Sequence, residues 1–284
     1  MENKILAIVV TYFPERELLE KNISAFIDNV DKLLFWENTP EDKKQQYRYI
    51  DNPKIEYCGD GINSISHALN YAWKYAESNG YDYLLTMDQD SVFENFDDYL
   101  KCTVYNENAP LGIWTPSLLT ESNYDIDKPS HEVVELRLTI TSGMLQSVSC
   151  ISIVGGWNEA LTVDALDCEY CFQAQRHGIK IFQLPHVRLI HQYGTAREVS
   201  LLGRSMVLRN YSPKRYYTIY RNHILVMRMF PEQRFFKDFF ISHRLVIIKW
   251  IVIFEEEGLK KLFYILKAIL SGYTSKLPIR SGTT

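Results

Sequence analysis

The sequence predicts an α/β chain with a Rossmann-like sheet over residues 1–210 and a basic helical extension over residues 211–284. Two observations carry this. Apolar strand-like runs alternate with segments of helical spacing through the front of the chain. Charge is also split: residues 201–284 hold 15 Lys and Arg against 5 Asp and Glu, although the whole chain is only -4. Such a split points to different partners for the two parts.

The elements follow in order. Ile5–Tyr12 (ILAIVVTY) is a continuous β-branched run, as in a strand buried on both faces of a parallel sheet, and Pro14 ends it. Glu15 to Asp28 sets Leu18, Leu19, Ile23, Phe26 and Ile27 along one side of a helix. Lys32–Glu37 and Ile55–Cys58 read as the second and third strands, Ser64–Ser78 as a helix, and Asp82–Met87 as a fourth strand running into Asp88-Gln89-Asp90. Regularity weakens from Ala109 to Pro129, which predicts a surface loop over a site. Glu132–Thr141 and Met144–Val154 read as extended. Ala165–His177 reads as a helix stopped by Gly178, and Ile179–Leu184 and Val187–His191 as strands. After Ser212-Pro213 the segments become long, basic and aromatic.

Composition excludes several classes. The acidic front part is a poor nucleic-acid binder, because phosphate backbones need clustered cations. Five scattered cysteines fit free thiols in a reducing compartment, and Cys168–Cys171 is a C-x-x-C without a second pair. Met1-Glu2-Asn3-Lys4 leads straight into a strand-like run, so no secretory leader is expected. The apolar run Leu245–Phe254 contains Lys249 and is far shorter than the ~20 residues of a spanning helix. A cytoplasmic protein, with peripheral contact to the inner face of the cell membrane, is the expectation.

Three groups could carry chemistry. Asp88 and Asp90 lie one residue apart just past an apolar strand, where open α/β sheets bind ligands. Two hard oxygen donors there suit Mg²⁺ or Mn²⁺ on a diphosphate, although an isolated D-x-D is also an ordinary strand-end turn. Asp164, Asp167 and Glu169 form a second acidic group, and Asp167 at a helix start is either a base or a cap. His191 ends a strand-like run, where it is either structural or a nitrogen ligand to the same ion. Thr141-Ser142-Gly143-Met144 is an acceptor wall or a plain tight turn.

Taken in order, VVTYFP (9–14), ENTP (37–40), SISHALN (64–70), MDQDS (87–91), GGWNEALTVDALDCEYC (155–171), LIHQYGT (189–195) and SPKRYYTIYRN (212–222) resemble the family 2 glycosyltransferases, within them the rhamnosyltransferase-like branch that builds bacterial surface polysaccharides. The resemblance covers about residues 1–225. It implies a GT-A fold, a Rossmann-like mixed sheet flanked by helices, and a metal-dependent inverting transfer from a nucleotide diphosphate sugar. It implies that Thr11, Tyr12, Glu37, Asn38, Ser64, Asn70 and Asp88 bind the nucleotide. Asp90 and His191, with Asp88, would hold Mg²⁺ or Mn²⁺. Asp167 would be the catalytic base, with Asp164, Glu169, Trp157, Ser142 and Gly143 supporting it or binding the acceptor. Glu37 stands where the family usually has Asp, Ser64 where it commonly has Gly, and Gln173 where many relatives have Arg. The implied donor is dTDP-rhamnose or a UDP-hexose, and the acceptor a saccharide or lipid-linked sugar.

Two alternatives belong to other classes. A nucleotidyltransferase of sugar-nucleotide synthesis needs a Gly-rich first loop, whereas Thr11-Tyr12-Phe13-Pro14 has no glycine. A non-catalytic nucleotide- or carbohydrate-binding module would not need Asp167. The basic, aromatic tail suits an anionic membrane surface or a subunit contact, the latter allowing a homo-oligomer.

Overall fold

A computed structural model describes residues 3–40, 50–119, 130–191, 197–201 and 203–278. They fall into two compact units, residues 3–162 with 166–191, and residues 163–165 with 197–278.

The first unit is built on β1 (Ile5–Thr11), β2 (Lys32–Glu37), β3 (Ile55–Cys58) and β4 (Tyr83–Asp88), all parallel. The sheet continues through β5 (Ser91–Phe93), β6 (Gly112–Leu119), β7 (Val134–Leu136), β8 (Met144–Ser147) and β9 (Lys180–His191). Among the described residues it has nine strands in the order β3-β2-β1-β4-β8-β6-β9-β5, with β7 on β9. Antiparallel β8 joins the parallel half to the rest, so the sheet is mixed.

Burial explains the strand sequences. Ile5, Ala7 and Val9 share one core with Leu19 and Ile23 of α1 (Arg16–Ser24) and Tyr99 and Leu100 of α3 (Phe96–Cys102). Leu6 and Ile8 alternate with them and are equally buried. On β1 and β4 packs α2 (Ile65–Ser78), whose first amides are capped by the Ser64 hydroxyl, which accepts from His67 N at 3.3 Å. Fully buried core side chains of this size each contribute on the order of 2 kcal/mol.

The structure corrects several readings of the middle of the chain. Within the expected loop Ala109–Pro129, residues 112–119 form β6, almost wholly buried, while 120–129 lie outside the described residues. Pro116 hid the strand: the pairing with β9 shifts register between Pro116 and Ser117, and such an irregularity tolerates a residue without an N–H. The apolar run expected to be extended to Val154 is strand only to Ser147; Val148–Val154 is helix α4, capped by the Ser147 hydroxyl at Cys150 N. Glu132–Thr141 contributes only β7 to the sheet. The two strands expected at Ile179–Leu184 and Val187–His191 are one, β9. Helix α5 spans Leu166–Arg176.

The second unit pairs β10 (Arg197–Leu201) with β11 (Arg204–Leu208) in a hairpin, which the sequence reading missed. Helices α6 (Pro213–Met229), α7 (Arg234–Phe239), α8 (Leu245–Phe254) and α9 (Gly258–Thr274) follow, with a π-helical turn, Phe240–Arg244, joining α7 to α8. Its core brings Tyr220 and Ile224 of α6 against Trp250, Ile251 and Ile265. Lys261, buried on α9, pairs with Glu255 at 2.9 Å, and Glu255 also accepts from Tyr216 Oη at 2.7 Å, so the buried charges are compensated. Among the described residues no helix is long and apolar enough to cross a membrane.

Candidate active site

Parallel pairing aligns the carboxyl ends of β1, β2 and β4. Thr11 stands beside Glu37, and Val10 beside Asp88. The first loop is tied to its neighbours by backbone bonds: Asn38 N donates to Thr11 O at 2.8 Å and Phe13 N to Thr39 Oγ1 at 2.9 Å. Tyr12 N donates to Gln89 Oε1 at 2.7 Å, and Gln89 Nε2 returns a bond to Tyr12 O at 3.2 Å. Gln89 thus clamps the first loop to the acidic turn, a role no motif had suggested. Glu37 Oε1 accepts from Thr39 N, and Asn38 Oδ1 from Trp36 Nε1.

The acidic turn meets His191 through the sheet. β5 pairs antiparallel with β9, and Ser91 lies opposite His191 in that register. Asp88, Asp90 and His191 therefore offer ligand atoms all within 4.8 Å of one another. His191 Nδ1 lies 2.8 Å from Ser91 Oγ and 3.4 Å from Asp90 Oδ1. Ser142 Oγ accepts from Asp88 N at 3.1 Å and donates to Ser91 Oγ at 2.7 Å. Asn22, wholly buried on α1, donates to the carbonyls of Asp88 and Ser91 and holds the turn from beneath. The sequence signal for it was a lone Asn among the apolar positions of that helix.

Electrostatics mark the site as a cation position. Burial, with the charges of Asp90 and Asp167, pushes the Asp88 carboxyl up to about 7. Burial also raises Asp90, against the opposing pull of His191. Asp90 Oδ1 is buried without a hydrogen-bond partner. Two carboxylates and an imidazole fit Mg²⁺ or Mn²⁺, and a divalent ion reverses the cost of holding two acids together.

Asp167 lies in the first turn of α5 and accepts from Cys168 N at 2.8 Å. Burial raises its carboxyl above the usual range. Asp167 and Ser142 line an open cleft of about 310 Å³ whose other walls include Leu118, Leu136 and Leu189. Gly143 has φ +77°, and a Cβ there would lie 2.8 Å from Pro116, so only glycine fits the Thr141–Met144 turn.

Other candidates serve as frame. Asn70 spends its amide on Trp157, accepting from its N at 2.7 Å and donating to its O at 2.8 Å, and donates also to Glu159. Trp157 is buried and stacks on Tyr170 at 4.5 Å. Glu169 is fully buried on α5. Ser64 is the α2 cap. Asp164 belongs to the second unit, where Arg215 pairs with it at 2.8 Å and Asn222 Nδ2 donates to Val163 O at 2.8 Å. Those bonds explain the RYYTIYRN block: Arg215 and Asn222 hold a turn in which Asp164 (φ 58°) and Ala165 (φ 59°) are both left-handed. Burial pushes the Cys150 and Cys171 thiols up to about 12, which leaves them protonated at neutral pH.

Solved structures share this architecture. GalNAc-T7, crystallised with UDP, GalNAc and Mn²⁺, matches at TM-score 0.61 and 12% identity over 97% of this chain and 58% of that one. S. aureus TarS matches at 0.54 and 13% over 94% and 55%. The chain thus spans a little over half the length of these two. The fold is that of the GT-A glycosyltransferases, and the Asp-Asp-His group stands at the strand ends of that fold. In sequence the chain is 27% identical over 247 residues to the dTDP-rhamnosyl transferase RfbF of Shigella flexneri, covering 80% of this chain and 81% of that one. No family model matches the chain.

Proposed function

We propose that the protein transfers rhamnose from dTDP-rhamnose to a hydroxyl of a saccharide or lipid-linked acceptor, with inversion, in bacterial surface polysaccharide synthesis. A UDP-hexose is the other donor to test. The convergence of Asp88, Asp90 and His191, with the charge of Asp167 felt at Asp88, carries this reading. The similarity to a dTDP-rhamnosyl transferase favours the rhamnosyl donor.

In this reading Thr11, Tyr12, Glu37 and Asn38 surround the nucleoside, with Ser64 and Asn70 as the frame of that pocket. Asp88, Asp90 and His191 hold Mg²⁺ or Mn²⁺, which when bound neutralises charge on the donor diphosphate. The acceptor lies in the cleft beside Ser142, Gly143 and Asp167, Trp157 and Glu169 support that region from within, and Asp164 is assigned as a further supporting carboxylate. Cys168 N donates to Asp167 Oδ1 and orients the carboxylate that takes the acceptor proton. The acceptor oxygen bonds to the anomeric carbon as the bond to the diphosphate oxygen breaks, and its proton passes to Asp167. Burial raises the affinity of Asp167 for that proton, as a general base working near neutral pH requires. A single displacement inverts the anomeric centre and needs no second carboxylate nucleophile.

The chemistry is assigned to residues 1–210 and membrane or subunit contact to 211–284, at the inner face of the cell membrane. Asp167→Asn is expected to lower transfer by about 10²–10⁴-fold while dTDP-rhamnose still binds. Full transfer by that variant, followed by product analysis, would remove Asp167 from the mechanism.

A further inference from the structure

The second unit contains an open cleft of about 380 Å³ lined by Arg209, Arg244, His243 and three tyrosines, Tyr211, Tyr216 and Tyr220. Arg244 is the last residue of the π-helical turn. Such turns widen the helical ladder and re-aim side chains, and they recur at functional positions. Tyr220 Oη donates to Arg244 O at 2.6 Å and fixes the turn.

Among the described residues Arg244 Nε has no hydrogen-bond acceptor, and the Phe239 ring lies 5.7 Å from its Cζ. Glu198 lines the same cleft, and Glu255 is committed to Lys261, Tyr216 and the Asn210 amide. Arg244 and Arg209 both line the cleft, so two guanidinium side chains meet at one concave surface.

We propose that this cleft binds a phosphate ester. Guanidinium groups match phosphate oxygens bidentately, and Arg209 supplies a second such group. Tyr211, at the rim of α6, offers a hydroxyl and a ring face, and Ile247 adds an apolar wall. The basic excess of residues 201–284 favours an anion of more than one charge. Ile241 of that turn and Leu245 and Val246 at the start of α8 are exposed, which suits a phosphate carried on an apolar chain. The inference goes beyond sugar transfer and rests on residues of the second unit alone.

The test uses the full chain in EDTA, so that no divalent ion can draw diphosphate to Asp88 and Asp90. One arm measures the melting shift with inorganic pyrophosphate. The other measures flotation with phosphatidylcholine vesicles, with and without phosphatidylglycerol. Binding in the first arm alone identifies a soluble phosphate ester, and binding in the second a lipid headgroup; either supports the site if Arg244→Gln weakens it about tenfold. Arg244→Lys is expected to fall between. Independently of any variant, the ligand that binds wild type should shield Arg244 from phenylglyoxal, read by peptide mass spectrometry. No binding in either arm, equal binding by Arg244→Gln, or an unshielded Arg244 overturns the proposal.

Discussion

Burial disfavours ionisation of both Asp88 and Asp90, although His191 opposes it at Asp90, and Asp88 is held up to about 7. A divalent ion must displace that proton. Metal-dependent nucleotide affinity should therefore fall as pH drops below 7, by up to about tenfold per unit for each proton displaced. Asp90→Ala should abolish the Mn²⁺ dependence of nucleotide binding in calorimetry while far-UV dichroism stays unchanged; a retained Mn²⁺ effect would exclude Asp90 as a ligand. Ala165 carries a different cost, since a left-handed non-glycine residue is strained by about 1–2 kcal/mol. Ala165→Gly should raise stability by about 1 kcal/mol in urea denaturation, less the entropy that glycine adds to the unfolded chain.

At the scale of elements, His223 on α6 ties the second unit to pH. It stacks on Phe236 at 3.9 Å, and burial lowers its pKa from 6.5 to about 4. A histidine depressed in the folded state adds stability above its unfolded pKa and loses it as pH falls. The chain should thus weaken between about pH 6.5 and 4, by up to about 3 kcal/mol, and His223→Gln should flatten that part of the melting-temperature profile. A profile unchanged by the substitution would mean that His223 titrates freely. Elements differ in how far the sequence revealed them. β1, β2, β3 and β4 were legible because buried parallel strands are unbroken apolar runs. β6 was hidden by Pro116, and α4 by the β-branched residues of VSCISIV, which carry strand propensity but sit behind a serine cap. Asp88, Asp90, His191 and Asp167 were legible as motif residues. The roles of Asn22, Gln89 and Ser91 were not, because polar side chains that bond to partners distant in sequence leave no periodic trace.

Across the molecule, the acidic front part and the basic helical part present different surfaces. On α9 and just beyond it, Leu259, Phe263, Leu266, Leu270, Tyr273 and Leu277 are exposed at alternating intervals of four and three residues, flanked by exposed Lys260, Lys267 and Lys276. An apolar stripe edged with lysine suits an anionic lipid surface. Phe263→Glu with Leu270→Glu should weaken binding to phosphatidylglycerol vesicles about tenfold or more without lowering the melting temperature, because neither side chain is in the core. Vesicle binding equal to wild type, with a mass in solution that drops on substitution, would assign the stripe to self-association instead.

The pairing of β5 with β9 sets limits on how this enzyme can diverge. Ser91 and His191 are neighbours only through strand register, with about a hundred residues of chain between them. Lengthening or shortening the connecting loops leaves the imidazole beside the two acids. A slip of one residue in either strand turns it to the opposite face of the sheet. Descendants of this sequence can therefore acquire new connecting loops freely, while the few residues of β5 and the end of β9 tolerate almost no insertion or deletion.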